Sequence, residues 1–334
     1  MKVLFLKAGD SNLSVNRIYI DNLSGWLKTY CDHVDVSRNV VAGYDIYICS
    51  KYSRRQDLEK IKQTSPNSRI GIIHPSDINR AVRRKLSLAD FFLVGSIEEK
   101  DYYSSYCSQI FRFPQIENIN IERKRHCQVD PIVIGYHGNL EHLEESRGAL
   151  KRALERLNEV CPLRLVVVYN KRLGSWSKGR PNIPIQIVDW SYENMIHEMS
   201  SVDIGIVPCI NNSFLDKNIL DIGKIGAAIK ISSGRLNDYS LRFKNNANNG
   251  RALVFHQCGV PVVADFWPCH FELLSNEDYG YLAHSEESWY QSLLKLSKSH
   301  ELRQAVSDNA YQAATTIYDP EKWTRKFYKF LQNV

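Results

Sequence analysis

The feature that most constrains this chain is an alternation, run through twice, of short apolar stretches with amphipathic helical ones. KVLFL (2–6), YDIYIC (44–49), SRIGIIH (68–74) and ADFFLVGS (89–96) are apolar and short, with helical patterns over Val15–Tyr30 and Arg55–Gln63 between them. A second series follows: PIVIGYHG (131–138), LRLVVVYN (163–170), IQIVDW (185–190), VDIGIVPC (202–209), the valine-rich run 260–263 and GYLAHS (280–285). Its helical stretches are 144–160, 195–200, 287–298 and 302–316, and a polar loop is expected after Asp265. Continuous apolar runs between helices predict strands covered on both faces, and therefore parallel sheets built from βαβ units. The fold class is α/β, with two Rossmann-like doubly wound domains facing across a cleft. FRFPQIENINIERKRHCQVD (111–130) loses the periodicity, becomes polar and reads as the linker between them.

Several other classes are excluded. No window approaches the roughly 18 unbroken apolar residues of a membrane span. In MKVLFLKAGDSN, Lys7 and Asp10 interrupt the apolar run and no small-residue cleavage site follows, so a first strand of a cytosolic protein is expected rather than a signal peptide. The eight cysteines form no C-x-x-C pair and no paired Cys/His spacing, so reduced thiols are expected and a zinc site is not. Residues 1–126 carry 20 Lys/Arg against 14 Asp/Glu, and the remainder carries 23 against 23, so the whole surplus of six lies in the first third. It is densest in KYSRRQDLEKIK (51–62) and NRAVRRK (79–85). A solvated face explains either cluster. A basic first domain also favours an anionic partner such as a membrane surface. No nucleic-acid-binding motif accompanies the charge, so nucleic acid is not expected.

Open α/β sheets bind ligands at the carboxyl ends of their strands. There is no G-x-G-x-x-G after a strand, no G-x-x-x-x-G-K-[ST] and no G-x-S-x-G, which argues against a dinucleotide dehydrogenase, a P-loop enzyme and an α/β-hydrolase. In NNGRALVFHQCGVPVVAD (248–265), two asparagines and an arginine open a short helix that turns through Cys258-Gly259 into a buried strand. Asparagine caps helices, and a helix start beside a guanidinium attracts anions. An ordinary capped helix between strands fits the same residues.

Four segments in order, IGYHGNLEH (134–142), DIGIVPCINNSF (203–214), NNGRALVFHQCGVPVVAD (248–265) and DYGYLAHSEESW (278–289), resemble the donor-binding half of GT-B glycosyltransferases, especially the bacterial group 1, family 4-like enzymes. The resemblance covers roughly the last 200 residues. It implies an acceptor domain at 1–126, a nucleotide-sugar donor domain at 127–317, and a terminal helix, 318–334, crossing back to the first domain. The implied activity is hexosyl transfer from a nucleotide-sugar donor to a glycan or lipid-linked acceptor in bacterial surface-polysaccharide (lipopolysaccharide-type) assembly. It would take place in the cytoplasm, at the inner face of the membrane, with retention and without a metal or other cofactor. By the same resemblance Asn248, Asn249 and Gly250 offer backbone N–H groups to the donor diphosphate and Arg251 pairs with it. Gly135, His137 and Gly138 form a loop at the same phosphates. His74, where family enzymes have a histidine against the transferred sugar, stands with Asp10 and Asp77 near the reacting carbon. The residues alone also allow a turn role for Asp10, a strand-end role for His74 and a helix-cap role for Asp77.

Two departures stand out. The family's glutamate three residues after the basic residue is Val254 here, and its earlier partner is Asn246. The stretch Ser213–Lys244 is longer than in the family and carries Lys217, Lys224, Lys230, Arg235, Arg242 and Lys244, which fits a lid that contacts phosphate or an exposed excursion equally. The alternatives to a transferase are a nucleotide-sugar 2-epimerase and a non-catalytic relative that binds a sugar or a partner protein.

Overall fold

The computed structural model describes every residue except 11, 76–83, 145–147, 177–178 and 210–247. The chain divides into two compact units: Met1–Asn120 with Asn248–Val254 and Gln312–Val334, and Ile121–Ala247 with Phe255–Tyr311.

The first unit holds a six-stranded parallel sheet of order β2-β1-β3-β4-β5-β6, from β1 (Lys2–Leu6), β2 (His33–Ser37), β3 (Ile46–Cys49), β4 (Arg69–Ile73), β5 (Phe91–Val94) and β6 (Ile110–Arg112). The central strands β3 and β5 are buried at every residue, as a sheet with helices on both faces requires. The edge strand β2 escapes the sequence pattern because HVDVS is polar; only Val34 packs into the core. The terminal helix Pro320–Leu331 buries Phe327 and Leu331 against Leu23, Leu27 and Phe113, with Trp323 and Phe330 at their edge.

The second unit repeats the design in the order β12-β11-β10-β7-β8-β9: β7 (Ile132–His137), β8 (Leu163–Tyr169), β9 (Ile185–Asp189), β10 (Ile204–Val207), β11 (Val262–Asp265) and β12 (Tyr281–Ala283). The helix Gly250–Cys258 runs into β11, and Phe255 packs on β10 at Gly205. A Cβ at Gly205 would lie 2.7 Å from Phe255 Cδ1. Alanine there would gain roughly 0.5–1 kcal/mol of backbone entropy, while overpacking costs about 1–3 kcal/mol. Gly205→Ala is therefore expected to be net destabilising, seen as a lower urea midpoint with unchanged slope; an unchanged midpoint would mean that moving Phe255 aside costs no more than the backbone gain.

One sequence expectation is refined and another corrected. The stretch 111–130 holds the boundary between the units, Asn120/Ile121, but it is anchored rather than loose. It begins in β6, which pairs with β5, and goes on to bury Phe113 and Ile116. Its second half is strapped to the second unit. Lys124 Nζ donates to Asp203 at 2.8 Å, Lys124 N to Cys258 O at 2.9 Å, and Arg303 Nη2 to Cys127 O at 2.8 Å. These partners are remote in sequence, so no local periodicity announces them. The polar loop expected after Asp265 instead contains the helix Pro268–Leu274, opened by proline at its first turn and burying Cys269, His270, Leu273 and Leu274.

Candidate functional site

In the first unit the chain order reverses between β1 and β3, and ligands of open α/β sheets sit beyond the carboxyl ends of strands near such a point. His74 follows β4 on that edge. It is buried and has φ 45°, a left-handed conformation uncommon outside glycine that concentrates at functional sites. Its Nδ1 lies 2.8 Å from both carboxylate oxygens of Glu99. Glu99, with no exposed surface, also accepts from Gly95 N at 2.7 Å, and its own N–H is capped by Ser96 Oγ at 3.1 Å. On the other side of the ring, Gln115 Nε2 is 3.2 Å from His74 Nε2. Tyr19 stands edge-on to the imidazole at 4.5 Å and donates to Phe113 O at 2.8 Å. Burial, with Glu99 adding to it, pushes the Tyr19 phenol well above its ordinary range, so it stays a neutral donor. Tyr19 is carried by a π-helical stretch, Arg17–Asn22, a form that often marks functional sites. A Cβ at Gly95 would fall 2.7 Å from His74 Cε1 and 2.8 Å from the Tyr19 hydroxyl, so the network closes only over glycine.

Glu99, Gln115 and Tyr19 were not singled out from sequence. The one local signal was Ser96-x-x-Glu99, the spacing of a capping box. Here the carboxylate turns to Gly95 N–H and the histidine.

Of the acidic candidates, Asp10 stands apart from this network. Asp10 is exposed and its Oδ1 accepts from Asn12 N at 2.9 Å, the turn role its residue type allows. Buried Asn16 holds that loop, donating to Ala8 O at 2.9 Å and Asp10 O at 2.7 Å. Asp77 lies outside the described residues, as do Asn246 and the basic residues of 213–244. Near the reversal point, buried Lys85 donates to the carbonyls of Lys51 (2.6 Å) and Ser53 (3.2 Å), and burial lowers its pKa.

The helix Gly250–Cys258 starts as an Asx turn: Asn248 Oδ1 accepts from Gly250 N at 3.1 Å, and Asn249 O accepts from Leu253 N at 3.0 Å. Asn249 thus occupies the cap position, but the capping side chain is that of Asn248. Asn249 Oδ1 is buried and has no hydrogen-bond partner among the described residues. Gly250 is tied to the histidine network, since a Cβ there would lie 2.7 Å from Gln115 Oε1. Val254 is buried on the same helix.

In the second unit β7 and β10 flank the reversal point. His137 ends β7, buried with its ring centroid 5.3 Å from that of Phe255. Gly138 follows with φ 133°, which favours glycine. Gly135 has a packing reason of its own, because a Cβ would meet Val202 Cγ2 at 2.6 Å. Asp265, unmarked in the sequence reading although it ends an apolar strand, accepts from Phe266 N (2.9 Å) and Cys209 N (3.3 Å) and meets His284 Nδ1 at 2.9 Å. Burial holds its carboxyl above the usual range. Among the described residues no cluster of His, Cys, Asp and Glu is arranged to hold a metal, and no helix is long and apolar enough to cross a membrane.

No protein-family model matches the chain, and no curated protein matches it. Solved structures do. HepE from Anabaena in complex with UDP-glucose aligns with a TM-score of 0.61 at 14% identity, over 100% of both chains. Sucrose-phosphate synthase from Thermosynechococcus elongatus aligns with a TM-score of 0.61 at 10% identity, over 99% of this chain and 98% of that one. A glycosyltransferase from Rickettsia africae aligns with a TM-score of 0.62 at 10% identity, over 100% and 99%. At these identities the likeness is one of fold, and the two parallel six-stranded sheets with their interleaved helices have the GT-B glycosyltransferase fold.

Proposed function

We propose that this protein is a nucleotide-sugar glycosyltransferase. The observation that carries the reading is the full-length fold likeness to a protein crystallised with UDP-glucose. The placement of polar groups supports it. A histidine network lies at the carboxyl edge of the first sheet, and the helix start Asn248–Arg251 belongs to the same compact unit. In this reading Asn249, Arg251 and the helix start bind the donor diphosphate. Negative charge grows there as the nucleotide leaves, and positive groups speed the reaction most where charge develops. The backbone at Gly135, His137 and Gly138 approaches the donor phosphates, and His74 contacts the sugar. Asp10 and Asp77 remain candidates on the acceptor side, where an inverting reaction would need a general base. The finer reading is a retaining, metal-independent hexosyl transfer to a glycan or lipid-linked acceptor of a bacterial surface polysaccharide, with the basic 1–126 segment against an anionic membrane face.

The test is a thermal-shift screen against UDP-, GDP-, ADP- and CMP-linked sugars. A ligand at 100 times its Kd adds about 2.7 kcal/mol of stability. Stabilisation by one nucleotide class is expected. Arg251→Ala should weaken it by about 10- to 100-fold, the worth of one charge-assisted phosphate contact of about 1.5–3 kcal/mol. Stabilisation by none of them would favour the second reading, a non-catalytic relative, which the apolar Val254 at the expected glutamate position already supports.

A further inference from the structure

The geometry around His74 assigns a role to two residues that neither the motifs nor the fold likeness marks. We propose that Glu99 is a positioning residue that locks His74 in its Nδ1–H tautomer, and that Gln115 covers Nε2 until a ligand takes its place. The site then presents Nε2 as a hydrogen-bond acceptor for a hydroxyl of the bound sugar. This rests on the nucleotide-sugar reading above and names the chemistry by which that site would recognise its ligand.

Imidazole has two nitrogens, and the tautomer is set by what each faces. Among the described residues Nδ1 faces only carboxylate oxygens, both at 2.8 Å, so it must carry hydrogen. Glu99 cannot swing away cheaply. It has no exposed surface, one oxygen is held by Gly95 N–H at 2.7 Å, and its helix start is fixed by Ser96. Nε2 faces the amide nitrogen of Gln115 at 3.2 Å, and an amide nitrogen only donates, so Nε2 must accept. The imidazole cannot slide, because Tyr19 packs against it edge-on at 4.5 Å and Gly95 leaves room for no side chain.

Gln115 is the exchangeable member. Tyr19, which also hydrogen-bonds it, keeps its own anchor on Phe113 O, so the amide can leave without stranding the phenol. A sugar hydroxyl donating to Nε2 would replace the Gln115 contact one for one. His74 then orients sugar by accepting a hydrogen bond, and its tautomer, rather than its charge, matters. A glutamine at 99 keeps the shape but can donate to Nδ1, which releases the lock.

The experiment reads the tautomer directly by long-range proton–nitrogen NMR on 15N-histidine-labelled full-length protein near pH 8, with the His74 signals assigned by their loss in His74→Gln. Wild type is expected to show a protonated Nδ1 and a bare Nε2. Glu99→Gln should shift the population to the Nε2–H form, whereas Gln115→Ala should leave Nδ1–H in place. Wild type with Nε2 protonated, or Glu99→Gln with an unchanged tautomer and retained fold, would overturn the lock. Added UDP-glucose, or whichever sugar nucleotide the screen selects, should move the Nε2 signal, while the bare nucleotide should not. A sugar nucleotide that binds and leaves Nε2 unmoved overturns the sugar contact. If no sugar nucleotide binds while the tautomer is as expected, the functional reading fails and the lock stands.

Discussion

Lowering the pH from 6.5 to 4 is expected to remove about 6 kcal/mol of folding stability through two histidines that the fold keeps neutral. His256 is fully buried in the helix Gly250–Cys258, and burial lowers its pKa from 6.5 to about 4. Neither of its ring nitrogens meets a hydrogen-bond partner in good geometry among the described residues, and the Tyr279 backbone offsets little of the burial. His126 lies in the strapped stretch after Ile121. Its pKa is also lowered to about 4, first by burial and further by Lys124 and Arg303, although Nε2 meets Gly259 O at 2.9 Å. For a base whose folded pKa is depressed, the unfolded chain binds more protons between the two values. Stability therefore rises with pH across that window and is complete above 6.5. Each histidine contributes about 3 kcal/mol at 1.36 kcal/mol per pH unit. Buried Asp265 works the other way: its raised pKa makes the native state take up a proton first, which offsets part of the loss. Whole domains have about 5–15 kcal/mol in hand, so a domain at the low end of that range would unfold near pH 4 and a more stable one would stay folded with a lowered urea midpoint. Urea midpoints read by circular dichroism from pH 7.5 to 4 check this, with His256→Leu expected to take about half the slope away. A flat profile in wild type would mean that these imidazoles are solvated.

Arg303→Ala should be the most damaging single change outside the candidate site, at about 3–5 kcal/mol, the combined cost of a large-to-small truncation in the core and of buried carbonyls left without a donor. Arg303 heads the fully buried large side chains at 1% exposure. Nη1 donates to Leu296 O at 2.8 Å and Ser297 O at 3.3 Å, and Nη2 to Cys127 O at 2.8 Å. Burial lowers its pKa, with Asp203 the strongest opposing influence. Truncation strands three carbonyls, opens a cavity and frees residues 125–130 from their anchor. Hydrogen exchange in that stretch should accelerate together with the fall in urea midpoint. A loss under about 1 kcal/mol would show that water replaces the guanidinium, and that the strap does not depend on it. Arg303→Lys is expected to recover little, since an ammonium cannot reproduce the planar fork.

These two cases show where local pattern stops being informative. The strands of both sheets were legible because central parallel strands are apolar at every residue, as Ile46–Cys49 and Phe91–Val94 are. The terminal helix was legible because Trp323, Phe327 and Leu331 share one face. The strand His33–Ser37 was not, because an edge strand needs only one buried side chain, and the helix Pro268–Leu274 was hidden by the polar residues around it. In the candidate site His74 could be picked out as a histidine ending an apolar strand before Pro75. Glu99 and Gln115 could not, since they lie 25 and 41 residues from it and meet it only through the ends of neighbouring strands.

By itself, then, the sequence determined the α/β class, the number of sheets and the order of most elements, because backbone hydrogen bonding and the burial of apolar faces act through spacings of two to four residues. Only the tertiary structure decided which polar groups meet. It gave His74 a carboxylate on one nitrogen and an amide on the other. It made Asn248 rather than Asn249 the cap of the helix start, and anchored the second half of the linker through Arg303. The reason is physical: a buried polar group must find a partner wherever the chain brings one, and sequence distance does not enter that energy.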